Sequence, residues 1–283
     1  MGRTIILFVC AVGLLLPVLS PLALPAASNH ERYYTGPKTV YEDMNTSAPN
    51  ELQRDGSNGA LLVDKWAVVI GISDYQGTQN DLLYPDDDAR DMYNYLLTKG
   101  YPQSHIRLLL DRKATANAII SAIDWMNTQE RSATSECVFF YSGHGTTYNG
   151  YNDGDNEYTD EAIVSTNLYL ILDGQLRQKF ANFNSHKILF VFDSCFSGGM
   201  DDLAATGRVI DTACSETQYS WDGNAAMQNG VFTYYYMQGL ATYNTAEGAQ
   251  AYATPLAHNA VLAMYGAQMD PQQYDNYTGT WQF

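Results

Sequence analysis

The chain has 283 residues, 46% of them hydrophobic, which suffices for one large or two small domains around a filled core. Its 15 Lys and Arg against 31 Asp and Glu give a formal charge of −16. That balance excludes the basic patches that nucleic acid and anionic membranes reward, and it favours cations and basic ligands as partners.

At the start, Arg3 precedes an apolar run over residues 5–19, broken by Pro17 and followed by the small residues Ala26-Ala27-Ser28 before polar Asn29-His30. This is the layout of a secretory signal peptide, residues 1–28, cut after Ser28. An uncleaved membrane anchor is the alternative, disfavoured because the run is shorter than the roughly 20 residues a span needs. Both readings put the rest of the chain outside the cytoplasm, extracellular or in the cell envelope, and removal of the signal leaves no stable span. Cys10 lacks the small preceding residue of a lipidated cysteine. Cys137, Cys195 and Cys214 then remain, an odd number in an oxidising compartment. Cys195 is the natural free thiol, and the other two read as small buried hydrophobes.

Residues 29–64 are polar and carry loop signals, Asn45-Thr46-Ser47 and Gly56-Ser57-Asn58-Gly59, as expected of a pro-segment or flexible arm. The folded domain is expected over residues 65–283. It opens with a buried strand over residues 65–71. Pro85 with Asp86, Asp87 and Asp88 then starts a helix carrying Met92, Tyr95 and Leu96 on one face, with Gly100 past its end. A strand over residues 105–110 follows. Thr115 caps an amphipathic helix with Ile119, Ile120, Ile123 and Met126 on one side. Residues 137–141 are a buried strand that runs into Ser142-Gly143-His144-Gly145. An acidic loop over residues 152–161 leads to a short helix over residues 174–182, for which Asp173 is the expected cap. Residues 188–192 form a second buried strand ending in Asp193-Ser194-Cys195-Phe196-Ser197-Gly198-Gly199. Beyond it lie a strand over residues 208–213, a segment from Gly230 read as helix in preference to strand, a helix over residues 254–265, and a Tyr- and Asn-rich end. Strands separated by helices predict an α/β fold with a mainly parallel sheet covered on both faces.

Two strands thus end in reactive groups, His144 between glycines and Cys195 before them. In an open α/β sheet ligands sit beyond the carboxyl ends of the strands, so parallel neighbours would bring the two face to face. An imidazole beside a thiol lowers the thiol's pKa and can protonate a leaving amine. The N–H groups of Cys195 and Gly145 would face a developing oxyanion. This is the equipment of a cysteine acyl-transfer enzyme that needs no cofactor for its chemistry.

Tyr141-Ser142-Gly143-His144-Gly145 and the stretch from Asp193 to Gly199 resemble the histidine and cysteine signatures of the caspase-like cysteine peptidases, on the metacaspase and prokaryotic side of that family. The resemblance extends through Val68-Val69-Ile70-Gly71-Ile72, Asp88-Ala89-Arg90-Asp91-Met92, Asp160-Glu161-Ala162-Ile163 and Gly230-Val231-Phe232-Thr233-Tyr234-Tyr235, and so covers about residue 65 to the end. It implies a caspase-like fold, a six-stranded mostly parallel sheet flanked by helices, with a large-subunit-like part over residues 65–200 and a small-subunit-like part over residues 207–283. It implies Cys195 as nucleophile, His144 as general acid/base, and Gly145 and Cys195 as the oxyanion hole. No third orienting acid is evident.

By the same resemblance, Asp88, Ser142 and Asp193 match the positions with which metacaspases hold Arg or Lys before the scissile bond, where aspartate-specific caspases carry arginines. A buried carboxylate pair asks for a cation to complete it. Asp88 is equally a helix-start carboxylate. Asp160, Asp173 and Asp202 resemble the ligands of calcium-activated metacaspases, with Gly174 where a paired aspartate is usual, and Asp153, Asp155, Glu157 and Glu161 add oxygens nearby. A solvated acidic loop is the alternative. Arg177, Lys179 and above all Arg208 are candidate self-cleavage sites. His30, His105, His186 and His258 lack partner motifs. The expected function is a secreted cysteine endopeptidase acting on protein or peptide substrates with basic residues. A catalytically silent binding module, or a ligase or transpeptidase using the same acyl-enzyme, are the competing readings.

Overall fold

The computed structural model describes residues 63–149 and 158–283. The signal-peptide reading, nearly all of the N-terminal arm, and Asp153, Asp155 and Glu157 lie outside the described residues. In chain order the elements are β1 (Lys65–Gly71), α1 (Pro85–Thr98), β2 (Ile106–Leu110), α2 (Ala116–Gln129) and β3 (Glu136–Ser142). They continue with β4 (Gly145–Asn149), β5 (Thr159–Val164), β6 (Leu170–Leu172), α3 (Asp173–Phe180) and β7 (Ile188–Asp193). The last are β8 (Arg208–Thr212), α4 (Val231–Tyr243), α5 (Ala246–Tyr265) and β9 (Gln272–Asp275).

Six strands form one sheet in the order β2-β1-β3-β7-β8-β9, parallel throughout except for the last, antiparallel pair. This is the mostly parallel sheet expected. Its central strands are apolar on both sides because both sides are covered. Cys137, Phe139 and Tyr141 of β3 pack into one core with Ile119, Ile123 and Met126 of α2 and with Leu176 and Phe180 of α3. Val138 and Phe140, pointing the other way, join Met92 and Leu96 of α1, Tyr236 and Leu240 of α4, and Ala253 and Val261 of α5. Cys137 and Cys214 are fully buried free thiols, as small hydrophobes would be.

Four details differ from expectation. Residues 159–161, read as the end of an acidic loop, belong to β5 of a second, antiparallel sheet in which Tyr148 faces Asp160 and Thr147 faces Glu161. Charged residues obscured the strand; its identity comes from pairing with β4. Asp173 is the first residue of α3 and not its cap, and its carboxylate accepts the Gly174 and Glu161 N–H groups at 2.7 and 3.2 Å. Helix α5 begins about two turns earlier than residue 254. Its cap is Thr245, whose hydroxyl accepts the Gly248 N–H at 3.0 Å, while Pro255, which in sequence suggests a first turn, lies inside. Arg208, finally, is no accessible cut site. It is buried at the start of β8, where its guanidinium donates to the carbonyls of Leu203 and Phe180, both at 2.7 Å.

The Thr115 cap is present, its hydroxyl accepting the Ala118 N–H at 3.3 Å. Thr115→Ala is expected to lower stability by about 1 kcal/mol in denaturant unfolding without altering the active site, since α2 lies on the opposite sheet face from α1 and α4. Among the described residues no helix is long and apolar enough to cross a membrane.

Candidate active site

The register of β3 against β7 sets the site. These strands are parallel, and their last rungs pair Tyr141 with Phe192 and Ser142 with Asp193. His144 and Cys195 each follow that last rung by two residues, so both leave the sheet side by side at its carboxyl end. The approach is close: a Cβ on Gly145 would collide with the Cys195 carbonyl oxygen, a clash only glycine avoids. His144, Cys195, Asp88, Ser142 and Asp193 line one cavity of about 230 Å³. It stands where the strand order of an α/β sheet predicts a ligand.

His144 is 2% exposed. Its Nε2 lies 2.8 Å from the Asn80 carbonyl oxygen. A carbonyl only accepts, so Nε2 carries the proton and Nδ1 is left as the basic nitrogen. The Tyr75 hydroxyl accepts the His144 backbone N–H at 2.7 Å, and the Tyr141 hydroxyl donates to the His144 carbonyl at 2.7 Å. Burial lowers the imidazole's pKa, with the Asn80 carbonyl acting against it. The third orienting group is thus a backbone carbonyl, which carries no sequence signature. Around Cys195, burial pushes the thiol's pKa well up, with neighbouring Cys214 adding to the effect, and Sγ lies 3.7 Å from the Ser220 carbonyl. Both shifts favour the neutral imidazole and the neutral thiol.

The turn after Cys195 is strained. Phe196 adopts a left-handed conformation, φ 60°, and is held there by its N–H donating to the Gln218 carbonyl at 2.8 Å. Cys214 Sγ braces the same turn, 3.3 Å from the Ser194 carbonyl. Two N–H groups are left without backbone partners. The Cys195 N–H donates to no backbone carbonyl among the described residues. Val164 N–H donates to the His144 carbonyl, so Gly145 and Ile163 face each other as a non-hydrogen-bonded pair and the ladder does not use the Gly145 N–H.

The carboxylates form the other half of the cavity. Asp88, in the first turn of α1, accepts from the Ser142 hydroxyl at 2.7 Å and the Gly230 N–H at 3.0 Å. Asp193 accepts from the Ser220 hydroxyl and from the N–H and hydroxyl of Thr233, at 3.0 and 2.7 Å. Gly230 is wedged against the pair, where a Cβ would strike an Asp193 carboxylate oxygen. Burial raises both pKa values, and the charge of Asp193 raises Asp88 further. Asp88 is therefore both helix-start residue and cavity wall. Ser220 and Asp222, in a loop with no periodicity, also line the cavity and were not legible as site residues. Only their position one strand beyond the cysteine could have pointed to them.

The residues considered for calcium fare differently. Asp160 is buried in β5, Asp173 starts α3, and Asp202 lies 3.7 Å from the Arg177 guanidinium. Among the described residues no group of three or more His, Cys, Asp or Glu is arranged to hold a metal ion.

The sequence model of the caspase domain matches residues 64–272. Metacaspase-1 of Candida albicans is 32% identical over 159 residues, 49% of this chain and 34% of its own length. Metacaspase-9 of Arabidopsis thaliana is 31% identical over 150 residues, covering 50% and 46%. Metacaspase-1 of Arabidopsis thaliana is 25% identical over 227 residues, covering 72% and 60%. The matched stretch thus amounts to between a third and three-fifths of these curated relatives. Among solved structures, protein GSU0716 from Geobacter sulfurreducens superposes with a TM-score of 0.55 at 16% identity, over 76% of this chain and 94% of that one, which speaks to the fold alone.

Proposed function

This chain belongs to the caspase domain family of cysteine peptidases, and we propose that it is an exported endopeptidase that cuts after Arg or Lys using Cys195 and His144. The observation that carries the reading is the single cavity in which a thiol, an imidazole and the buried carboxylates Asp88 and Asp193 meet. A substrate's basic side chain enters toward the carboxylates, because two buried anions are costly until a cation completes them. That places its carbonyl carbon over Cys195. His144 Nδ1 takes the thiol proton as Sγ attacks, and the carbonyl oxygen becomes an oxyanion between the Gly145 and Cys195 N–H groups. Collapse breaks the C–N bond, and the imidazolium returns its proton to the leaving amine. Water, deprotonated by the same Nδ1, then adds to the thioester carbon; collapse breaks the C–S bond to free the acid, and the imidazolium returns its proton to the Cys195 sulfur.

Fluorogenic peptides ending in Arg or Lys are expected to be cleaved with kcat/KM at least about 100-fold above Asp-terminated ones, since an anion in this pocket would stand beside the buried carboxylates Asp88 and Asp193 with no cation to offset it. Preference for Asp would overturn the pocket reading; no cleavage of any peptide would favour a binding module. An added amine that captures the acyl-enzyme in place of water would mark a transpeptidase. Calcium, which the chemistry does not require, is proposed only as an activator, and a rate lost in EGTA and restored by Ca²⁺ would assign that role. Export rests on residues 1–28, and a mature protein beginning at Asn29 is the expected result of N-terminal sequencing.

A further inference from the structure

Four carboxylates line the cavity: Asp81 accepts the Tyr75 N–H at 3.0 Å, and Asp222 differs in its bonding from the buried pair Asp88 and Asp193. Both oxygens of Asp88 and both of Asp193 accept hydrogen bonds from the protein itself. Asp222 has one such partner, the Leu83 N–H, which donates to Oδ2 at 3.1 Å, and Oδ1 accepts none among the described residues. The residue is rigidly presented. Its backbone bridges to Gly230, its carbonyl accepts the Tyr265 hydroxyl at 2.8 Å, and Trp221 before it stacks on Tyr265 with ring centroids 4.5 Å apart. Leu83 is three residues beyond Asn80, whose carbonyl orients His144. Among the described residues no Lys or Arg lines the cavity to neutralise the acids.

We propose that Asp222 is a specificity-determining and positioning residue: Oδ1 takes the cationic head of the substrate's basic side chain, while Oδ2, through Leu83 N–H, fastens the loop whose Asn80 carbonyl aims His144. The proposal rests on the basic-residue reading above. Asp88 and Asp193 supply the field of the pocket, and Asp222 supplies the directional bond. A charge-assisted hydrogen bond of this kind is about twice as strong as a neutral one. Burial pushes the Asp222 carboxyl up to about 6, the Leu83 N–H opposing the shift and the Asp193 charge adding to it. The other titratable groups facing the cavity are Asp81, Asp88, His144, Asp193, Cys195 and Tyr265. Cation binding should therefore strengthen as pH rises through about 6, where Asp222 becomes charged.

Two variants of the full chain separate the two roles. Asp222→Asn keeps an oxygen for Leu83 N–H and loses the charge, so KM for Arg- and Lys-terminated peptides should rise about tenfold or more with kcat within about twofold of wild type. Asp222→Ala loses both, and kcat should fall about tenfold as well. Benzamidine binding to the Cys195→Ala chain, measured by calorimetry from pH 5 to 7.5, should lose its rise near pH 6 once Asp222→Asn is added, which requires no turnover. Unchanged KM and unchanged benzamidine affinity in Asp222→Asn would overturn the recognition role while leaving the basic-residue reading intact. An unchanged kcat in Asp222→Ala would overturn the tether. A wild type that ignores Arg and Lys peptides would remove the basic-residue reading and this proposal together.

Discussion

Cys195→Ala is expected to leave a folded chain whose turnover of Arg- and Lys-terminated peptides is lower by a factor on the order of 10⁴ or more. The thiol's roles are confined to one turn, so its removal leaves the sheet and both cores in place. His144→Ala should cost about as much, and the double variant little more than either, because a nucleophile and its base act as one unit. The protonation states sharpen the test. With the imidazole's pKa lowered and the thiol's raised by burial, the neutral pair is favoured at rest, and the proton is expected to move only when substrate is bound. Alkylation of the free enzyme by iodoacetamide should accordingly be slow at neutral pH, since only the thiolate reacts. For kcat/KM, which reports the free enzyme, the acid limb set by His144 should lie below the usual imidazole value of 6.5: a depressed pKa keeps His144 a free base until pH falls through that lower value. A limb above 6.5, or rapid alkylation at neutral pH, would mean that a thiolate–imidazolium pair already exists at rest.

The strands that carry this pair were legible because burial on both faces leaves continuous apolar runs, as in Ile188 to Phe192, and the reactive residues stand at their ends. The helices were legible where a polar cap precedes an apolar stripe, as at Thr115. What could not be read depends on partners far apart in the chain. Strand β5 is defined by pairing with β4, and β9 is polar and short on the sheet edge, so neither has an apolar period of its own. The Asn80 carbonyl is identical in sequence to every other carbonyl, and only the fold selects it to aim the histidine. Asp222 was hidden for the same reason: its meaning comes from a pocket assembled by β7, α1 and the loop after β1. Arg208 misled in the opposite direction. A basic residue between two motifs reads as a cut site, whereas its guanidinium satisfies two carbonyls at the start of a buried strand.

Gly145→Ala should be nearly as damaging to catalysis as loss of a catalytic group, although it removes no functional atom. The added methyl would collide with the Cys195 carbonyl oxygen and stand 3.1 Å from Ser194 Cβ. The nearest obstacle is backbone, so no side-chain rotation relieves it. The histidine strand has little freedom to retreat, because β4 is paired with β5 along its length. The displacement therefore falls on the cysteine turn, already strained at Phe196 and anchored by Gln218. A shift of about 1 Å between nucleophile and base costs on the order of 100-fold in rate, and overpacking of this kind costs about 1–3 kcal/mol of stability. KM should change little, since the carboxylates proposed to bind the substrate, Asp88, Asp193 and Asp222, are not among the atoms this methyl would meet. The measurements are kcat and KM on Arg-terminated peptides together with denaturant unfolding. A wild-type kcat with full stability would show that the two loops can separate freely, and that the close seating of the histidine strand on the cysteine turn is not what holds the catalytic pair in register.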